Sequence, residues 1–481
     1  MRLSEENLAR LKPGITRFAY DRSKIVPGIV HLGIGAFHRA HEALYTDAAL
    51  AAGDKEWGII GAGLVSATMS EALTPQNGLY AMAISDPAGE RYQVVGSVLK
   101  VLSGVGSKEP LVAAMAAAST RIVSVTVTEK GYHLHSATRE LNFDSPAIAT
   151  DLADPAHPQT VPGLIVEALR RRRAAGLAPF TVLSCDNLPG NGEVVRRAVT
   201  AFACKVDADL GAWIGANVAF PSTMVDRITP ATTDQDKARV AAAIGLDDAA
   251  PVVTEPFSQW VIEDNFPLGR PRWELGGAIF SNEIEAWEQM KLRCLNGAHS
   301  TLSYMGQLLG LETVAEAMGS SRVAELVQNL WKEIIPTLKA PSGSDPYEYV
   351  KALDARFRNP AIRHRTAQIA MDGSQKLPQR LLAPLRKRIE AGQASPHIET
   401  AVAAWMLYVS KTILQGGASA LKDPLADAIA TKVAEAGTDP KALVSSLLSL
   451  SAIFDTDLPA NATLRSHLEA RVAEFAAEFG L

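Results

Sequence analysis

Apolar positions in the first half of the chain fall in short, unbroken, largely β-branched runs, each closed by glycine or polar turn residues. Residues 29–32 (IVHL) end at Gly33, and residues 57–60 (WGII) close at Gly61-Ala62-Gly63. Residues 121–127 (RIVSVTV) lead into Thr128-Glu129-Lys130-Gly131, and residues 180–184 (FTVLS) lead into CDNLPGNG. Stretches with helical spacing separate them: EALYTDAALAAG after the first run, VPGLIVEALRRRRAAG before the fourth. Continuous rather than alternating apolar strands, spaced by helices, predict a parallel sheet covered on both faces. Ligands of such sheets sit at the carboxyl ends of the strands, where these glycine-rich polar segments fall.

The pattern changes near residue 285. From Glu288 to Leu481 the chain is rich in Ala, Leu and Glu at helical spacing, as in TLSYMGQLLG, SRVAELVQNLWKEI, AVAAWMLYVSKTIL and HLEARVAEFAAEF. Loop signals at residues 340–346 (APSGSDP) and at Gly416-Gly417 punctuate it. The predicted class is α/β followed by α. A Rossmann-type parallel-sheet domain spans residues 1–284, and a mostly helical domain spans residues 285–481.

Composition narrows the class of function. The 481 residues are long enough for two or three domains, and a 47% hydrophobic content rules out extensive disorder. The net charge of −5 argues against nucleic acid as a partner, which would need a surplus of Lys and Arg. Four consecutive arginines at residues 170–173 read as the solvated face of a helix. Three cysteines, Cys185, Cys204 and Cys294, lack disulfide-framework or metal-type spacing and read as reduced thiols. The charged N-terminus and the lack of about 18 consecutive apolar residues predict a soluble cytoplasmic protein with no membrane partner.

Candidate chemistry gathers at three places. Gly33-Ile34-Gly35-Ala36-Phe37, between a strand and a helix, reads as a turn whose amides cradle a pyrophosphate. His38 stands where the fingerprint's third glycine would be, so a tight turn with no ligand accounts for it too. His38 and His41 lack a recognised metal-ligand pattern and read as structural or cofactor-adjacent. In EQMKLRCLNGAHS, residues Glu288, Lys291, Asn296 and His299 share an arc of about 140° if they lie on one α-helix. That arc would aim an amine, an amide and an imidazole at one substrate oxygen. Asn296-Gly297 costs that helix roughly 1 kcal/mol, as a functional breach or as a helix start would. Asn187, just past the fourth strand, can donate to a carbonyl or alkoxide, or can simply form a turn with Asp186.

Six ordered blocks resemble the polyol-specific long-chain dehydrogenases and reductases: GIVHLGIGAFHRAHEALYTD, SVTVTEKGY, FTVLSCDNLPGNG, FPSTMVDRITP, EPFSQWVIEDNF and MKLRCLNGAHS. The resemblance covers nearly the whole chain, and the family carries G-x-G-x-F-H-R-A-H at the glycine turn. It implies a Rossmann-type domain, a helical C-terminal domain and a metal-independent active site in the cleft between them. Catalysis is implied for Lys291, Asn296 and His299 together with Asn187. Asp226 is implied at the substrate pocket and Glu288 as a gate on the proton path. Gly33, Ile34, Gly35, Ala36, Phe37, Arg39, Glu129 and Asn187 are expected at the cofactor.

The implied cofactor is NAD, with NADP left open: neither an acid nor an arginine marks the end of the second strand, where ribose discrimination usually sits. The stretch from Arg363 to Arg380 looks more like fructuronate reductases than mannitol dehydrogenases, which tend to carry arginine where Gln368 stands. A uronate carboxylate would suit Arg365 and Arg380, with Lys376 as a point charge; surface cations or interdomain ion pairs fit these residues as well. The expected substrate is a sugar acid, with neutral polyols as the alternative. Family members are often monomers, and a monomer is the expectation here. A nucleotide-binding sensor without turnover is the competing class, and the Lys291, Asn296, His299 set weighs against it.

Overall fold

Residues Pro27–Leu32 form the central strand, β1, of a five-stranded sheet whose other members are β2 (Gly58–Ala62), β3 (Val98–Leu102), β4 (Ile122–Val125) and β5 (Thr181–Ser184). The computed structural model describes every residue except Ser136 and Ala137, together with the Glu129 side chain, which are left aside. The strand order is β3-β2-β1-β4-β5 and every pairing is parallel. The order reverses between β1 and β4, the switch point at which a doubly wound sheet opens a crevice for a ligand. Four of these strands follow the apolar runs read from the sequence. The run at β3, VLKVL, is broken by a lysine and has no such signature.

Both faces of this sheet are covered, which is why its strands are apolar throughout. Helices α3 (Val161–Ala174) and α4 (Asn191–Val206) pack Leu164, Ile165, Val195 and Phe202 with Val123 and Val125 in one core. Each such side chain contributes about 1.5–3 kcal/mol on burial. The opposite face carries Ala40, Ala43 and Tyr45 against Ile29 and Ile59. The arginine run on α3 is not uniformly solvated, which corrects the reading above. Arg172 is buried and donates to the carbonyls of Ala117, Thr120 and Ala178, while Arg170 and Arg171 pair with Glu167. Two smaller sheets complete the first unit, Met1–Glu285. One runs Thr16–Arg17, Gly89–Val95, Tyr80–Asp86, Val252–Thr254, and the other Ile279–Phe280, Gln259–Ile262, Thr223–Asp226.

The second unit, Ala286–Leu481, is helical. Its described residues form no strand, and one isolated bridge pairs Thr313 with Arg365. The helix Pro396–Gly416 is apolar on all sides over its middle, burying Ala401, Val402, Trp405, Met406 and Leu407. It packs against α5 (Gly297–Leu309) and the C-terminal helix Ala462–Phe479. Among the described residues no helix is long and apolar enough to cross a membrane.

Candidate functional site

In the first unit, β1 ends in a turn that only glycine can make. Gly33 has φ +100°, and a Cβ there would lie 2.0 Å from the Thr126 carbonyl oxygen. Gly35 is exposed, caps the helix α1 (Ala36–Ala40), and has no neighbour closer than 3.8 Å to an added Cβ. The Gly33 and Ile34 amides donate to the Ala62 carbonyl at 2.9 and 3.1 Å, tying the turn to β2. The first N–H groups of α1 have no partner within the helix, as at any helix start. Bare backbone at the switch point and amides at a helix start fit a dinucleotide pyrophosphate.

Of the residues expected at a cofactor, Gly33, Ile34, Gly35, Ala36 and Phe37 form this turn and helix start. Arg39 does not join them. It is 4% exposed, donates to the Gly35 and Ala250 carbonyls, and sits over the Tyr80 ring. The helix turns its side chain into the core, so Arg39 braces the turn from behind. Glu129 has its side chain outside the described residues.

His38 occupies the third-glycine position for a packing reason. Its ring stacks on His31 of β1, centroids 3.4 Å apart, and its Nδ1 lies 3.2 Å from Glu42 Oε2. Burial first, then His31, holds the His38 imidazole down to about 4, so it is neutral. His31, His38 and Glu42 place three potential metal-ligand atoms within 4.8 Å of one another. A metal needs the in-plane lone pairs of both imidazoles to converge, however, and rings lying 15° from parallel do not provide that.

Past β5 the chain is pinned on both sides of Asn187. Asp186 accepts from the Tyr132 hydroxyl at 2.6 Å and from the Val127 and Thr128 amides at 3.1 and 2.8 Å. Burial pushes its carboxyl above the ordinary value, against these donors. Asn191 donates to the Ser184, Asp186 and Thr223 carbonyls and accepts from the Thr223 amide. Asn187 itself stays exposed at the carboxyl end of the sheet. Asp226 closes the strand Thr223–Asp226 and is buried. Sequence reasoning passed over Asp186, Asn191 and Tyr132; the Asp-Asn-x(3)-Asn spacing was the signal for two of them.

In the second unit, Lys291, Asn296 and His299 do not lie on one regular helix. Residues Lys291–Asn296 form a π-helical segment between the helix Ile284–Met290 and α5. A π turn closes i→i+5 bonds, so the 100° projection fails across it. Lys291 and Asn296, five apart, stand one π turn above each other, and His299 follows on α5. Glu288 is on the preceding helix, half-buried. Lys291 and His299 are 8% and 6% exposed. His299 Nε2 is buried without a hydrogen-bond partner. Burial, then His364, Arg380, Arg356 and Lys291, holds its pKa well below the usual histidine value, so the ring is neutral.

A second π segment, Pro378–Leu382, packs beside the first. Gly297 permits this, since a Cβ there would be 3.2 Å from the Arg380 carbonyl oxygen. Arg380 Nη1 donates to the Asn296 carbonyl at 3.3 Å and to Ser300 Oγ at 3.1 Å. Lys376 donates to the Ile369 and Met371 carbonyls, and burial, then Arg380, pulls its ammonium down to about 8. Arg365 is exposed at the start of the short helix Thr366–Ile369. The structure thus brings Arg380 to the Asn296 turn, gives Lys376 backbone partners, and leaves Arg365 at the surface. His364 was missed: its ring stands edge-on to His299 at 5.0 Å, hidden in sequence between two more conspicuous arginines.

Fold and site together define a two-domain oxidoreductase built on a Rossmann-type unit. Residues 27–275 match the Mannitol dehydrogenase Rossmann domain and residues 283–476 the Mannitol dehydrogenase C-terminal domain. The chain is 44% identical to the D-mannonate oxidoreductase of Escherichia coli over 454 residues, 93% of each chain. It is 42% identical to a mannitol 2-dehydrogenase of Cereibacter sphaeroides over 414 residues, 85% of this chain and 86% of that one. Among solved structures it resembles Pseudomonas fluorescens mannitol 2-dehydrogenase, in ternary complex with NAD and D-mannitol, with a TM-score of 0.86. The identity is 36%, over 100% of this chain and 98% of that one. The chain belongs to the mannitol dehydrogenase family.

Proposed function

We propose that this protein is an NAD-dependent dehydrogenase interconverting a secondary alcohol and a ketone on an open-chain sugar acid, with D-fructuronate and D-mannonate as the pair. The observation that carries the oxidoreductase reading is the π turn, which sets a buried amine, an amide and an unpartnered imidazole nitrogen in succession. NAD is supported by the cofactor of the Pseudomonas relative and by the fit of the glycine turn. Near the end of β2, Lys108 donates to the Leu64 and Gly104 carbonyls, so this cation is committed to backbone rather than to a 2′-phosphate.

The dinucleotide, when bound, supplies the hydride acceptor or donor. The chain supplies proton handling and charge stabilisation. Lys291 takes the hydroxyl proton in oxidation and returns it in reduction, a role that needs a neutral amine and hence a dry setting. The Asn296 side-chain amide donates to the oxygen as negative charge develops, and Asn187 at the sheet edge offers a second donor of that kind. His299, neutral, uses Nε2 to orient a substrate hydroxyl without adding charge.

The sugar-acid reading is supported by Arg380, whose guanidinium adjoins the Asn296 turn and suits a carboxylate. A neutral polyol is the second reading, favoured by the backbone partners of Lys376, which leave that cation less to offer an anion. Oxidation of NADH and NADPH with fructuronate, tagaturonate, fructose and xylulose tests both. The expected result is an NADH-dependent kcat/KM for fructuronate at least about ten-fold above that for fructose. Preference for fructose or xylulose would select the polyol reading, and no turnover with any of the four would point to a sensor.

A further inference from the structure

Beneath the glycine turn lies a buried polar group that the chemistry above does not use. His31 and Glu42 are 0% and 1% exposed. His31 Nδ1 lies 3.1 Å from Glu42 Oε2 and 2.8 Å from Ser124 Oγ. Its other nitrogen, Nε2, lies 2.8 Å from Thr126 Oγ1 and 3.2 Å from the Gly33 carbonyl oxygen. The Thr126 hydroxyl donates to that same oxygen at 2.8 Å, and the Gly35 amide donates to it at 2.6 Å. One carbonyl, at the residue whose φ is +100°, is therefore the meeting point of three donors.

Counting hydrogens fixes their placement. The Thr126 hydroxyl has one hydrogen, given to Gly33, so its oxygen can only accept from His31 Nε2. Contacts with His31 and His38 hold Glu42 well below the usual carboxylate range despite its burial, so it is an anion beside His31 Nδ1, which Ser124 Oγ also meets. His38 is neutral with its hydrogen on Nδ1, which leaves only a bare lone pair at its unpartnered Nε2. Both His31 nitrogens are engaged, Nδ1 with Glu42 Oε2 and Ser124 Oγ, and Nε2 with Thr126 Oγ1 and the Gly33 carbonyl oxygen. Buried polar atoms are costly when left without partners, and here neither ring nitrogen is.

We propose that His31 is a positioning residue for dinucleotide binding: with Thr126 it holds the Gly33 carbonyl inward and so keeps the glycine turn open to the pyrophosphate. The inference rests on the dinucleotide reading given above. The side chains act from beneath the turn, while the bound group would meet the first amides of α1, the Gly33, Ile34 and Gly35 amides being given to carbonyls.

The test is NADH titration by protein fluorescence, with melting temperature recorded alongside. Thr126→Val should weaken NADH binding about ten-fold, raising KM for NADH while kcat at saturation stays, and Thr126→Ser should restore it. His31→Asn should behave as Thr126→Val does. Unimpaired NADH binding by Thr126→Val, or no recovery of binding with Thr126→Ser at an unchanged melting temperature, would overturn the inference alone. Failure of the wild-type protein to bind NADH would remove the functional reading, and this inference with it.

Discussion

The two units hold polar groups ready for a ligand by opposite means. The first presents backbone: glycines strip the turn after β1 of side chains, and most polar groups of the residues around it are bonded beneath, with Glu42 Oε1 and His38 Nε2 left buried without partners. Arg39 is bonded to carbonyls, Asp186 takes three donors, and His31 is engaged at both nitrogens. The second presents side chains. A widened helical turn carries Lys291 and Asn296, and the imidazole nitrogens His299 Nε2 and His364 Nδ1 are buried without partners. A diphosphate is recognised through repeated weak donors of fixed direction, which amides provide at little entropic cost. A reacting hydroxyl needs a titratable group, which only a side chain supplies. On the proposed reading, binding and proton transfer fall to separate structural materials, and each can be disturbed alone.

The sharpest way to break that separation is Lys291→Ala. Loss of a general base costs about 10²–10⁴-fold in turnover, and the dissociation constant for NADH should not move, because no backbone amide of the glycine turn is touched. Turnover within ten-fold of wild type would take the base role from Lys291. A change in NADH affinity would show that the two functions are not divided as described.

Next in size is the pair Gly33→Ala and Gly35→Ala. At Gly33 the new Cβ would meet the Thr126 carbonyl at 2.0 Å in a backbone conformation that disfavours side chains. The expected cost is about 1–3 kcal/mol of stability together with most of the NADH affinity. At Gly35 the nearest atom is 3.8 Å away, so the fold should tolerate the methyl group and only NADH binding should fall. Thermal melts and NADH titrations of both variants check this. Equal melting temperatures for the two would refute the steric account.

How much of this was readable from residues differs between the units for the same reason. Strands β1, β2, β4 and β5 and the glycine turn announce themselves locally, through apolar runs that stop at glycine. Strand β3 did not, because Lys100 sits in its middle at an exposed position on an edge strand. The helical half was readable as helix, but the π segment was not. Nothing in KLRCLN distinguishes five residues per bond from four, and the wide turn is stabilised by Arg380, 84 positions downstream of Asn296. Buried bracing residues such as His31, Asp186 and Asn191 were overlooked because their partners come from other strands, and single-sequence patterns carry no record of such pairings. Arg39 was misplaced at the cofactor because its neighbours in sequence are at the turn, while the helix points its side chain the other way.

The smallest expected effect concerns the unpartnered imidazoles of the second unit. Burial holds His364 down to about 4, from an ordinary value near 6.5. Between those values the unfolded chain binds a proton at this position and the folded chain does not. Stability contributed by the neutral ring is therefore complete above pH 6.5 and is lost as pH falls toward 4. From pH 7 to pH 5 the loss through this group is about 2 kcal/mol. His299, held low by burial and by its cationic neighbours, acts in the same direction. His364→Phe keeps a ring edge beside His299 but removes the titration. Its melting temperature should fall less than that of wild type between pH 7 and pH 5. Parallel slopes for His364→Phe and wild type would mean that the buried ring does not resist protonation, and the poised imidazoles of the second unit would lose their clearest thermodynamic sign.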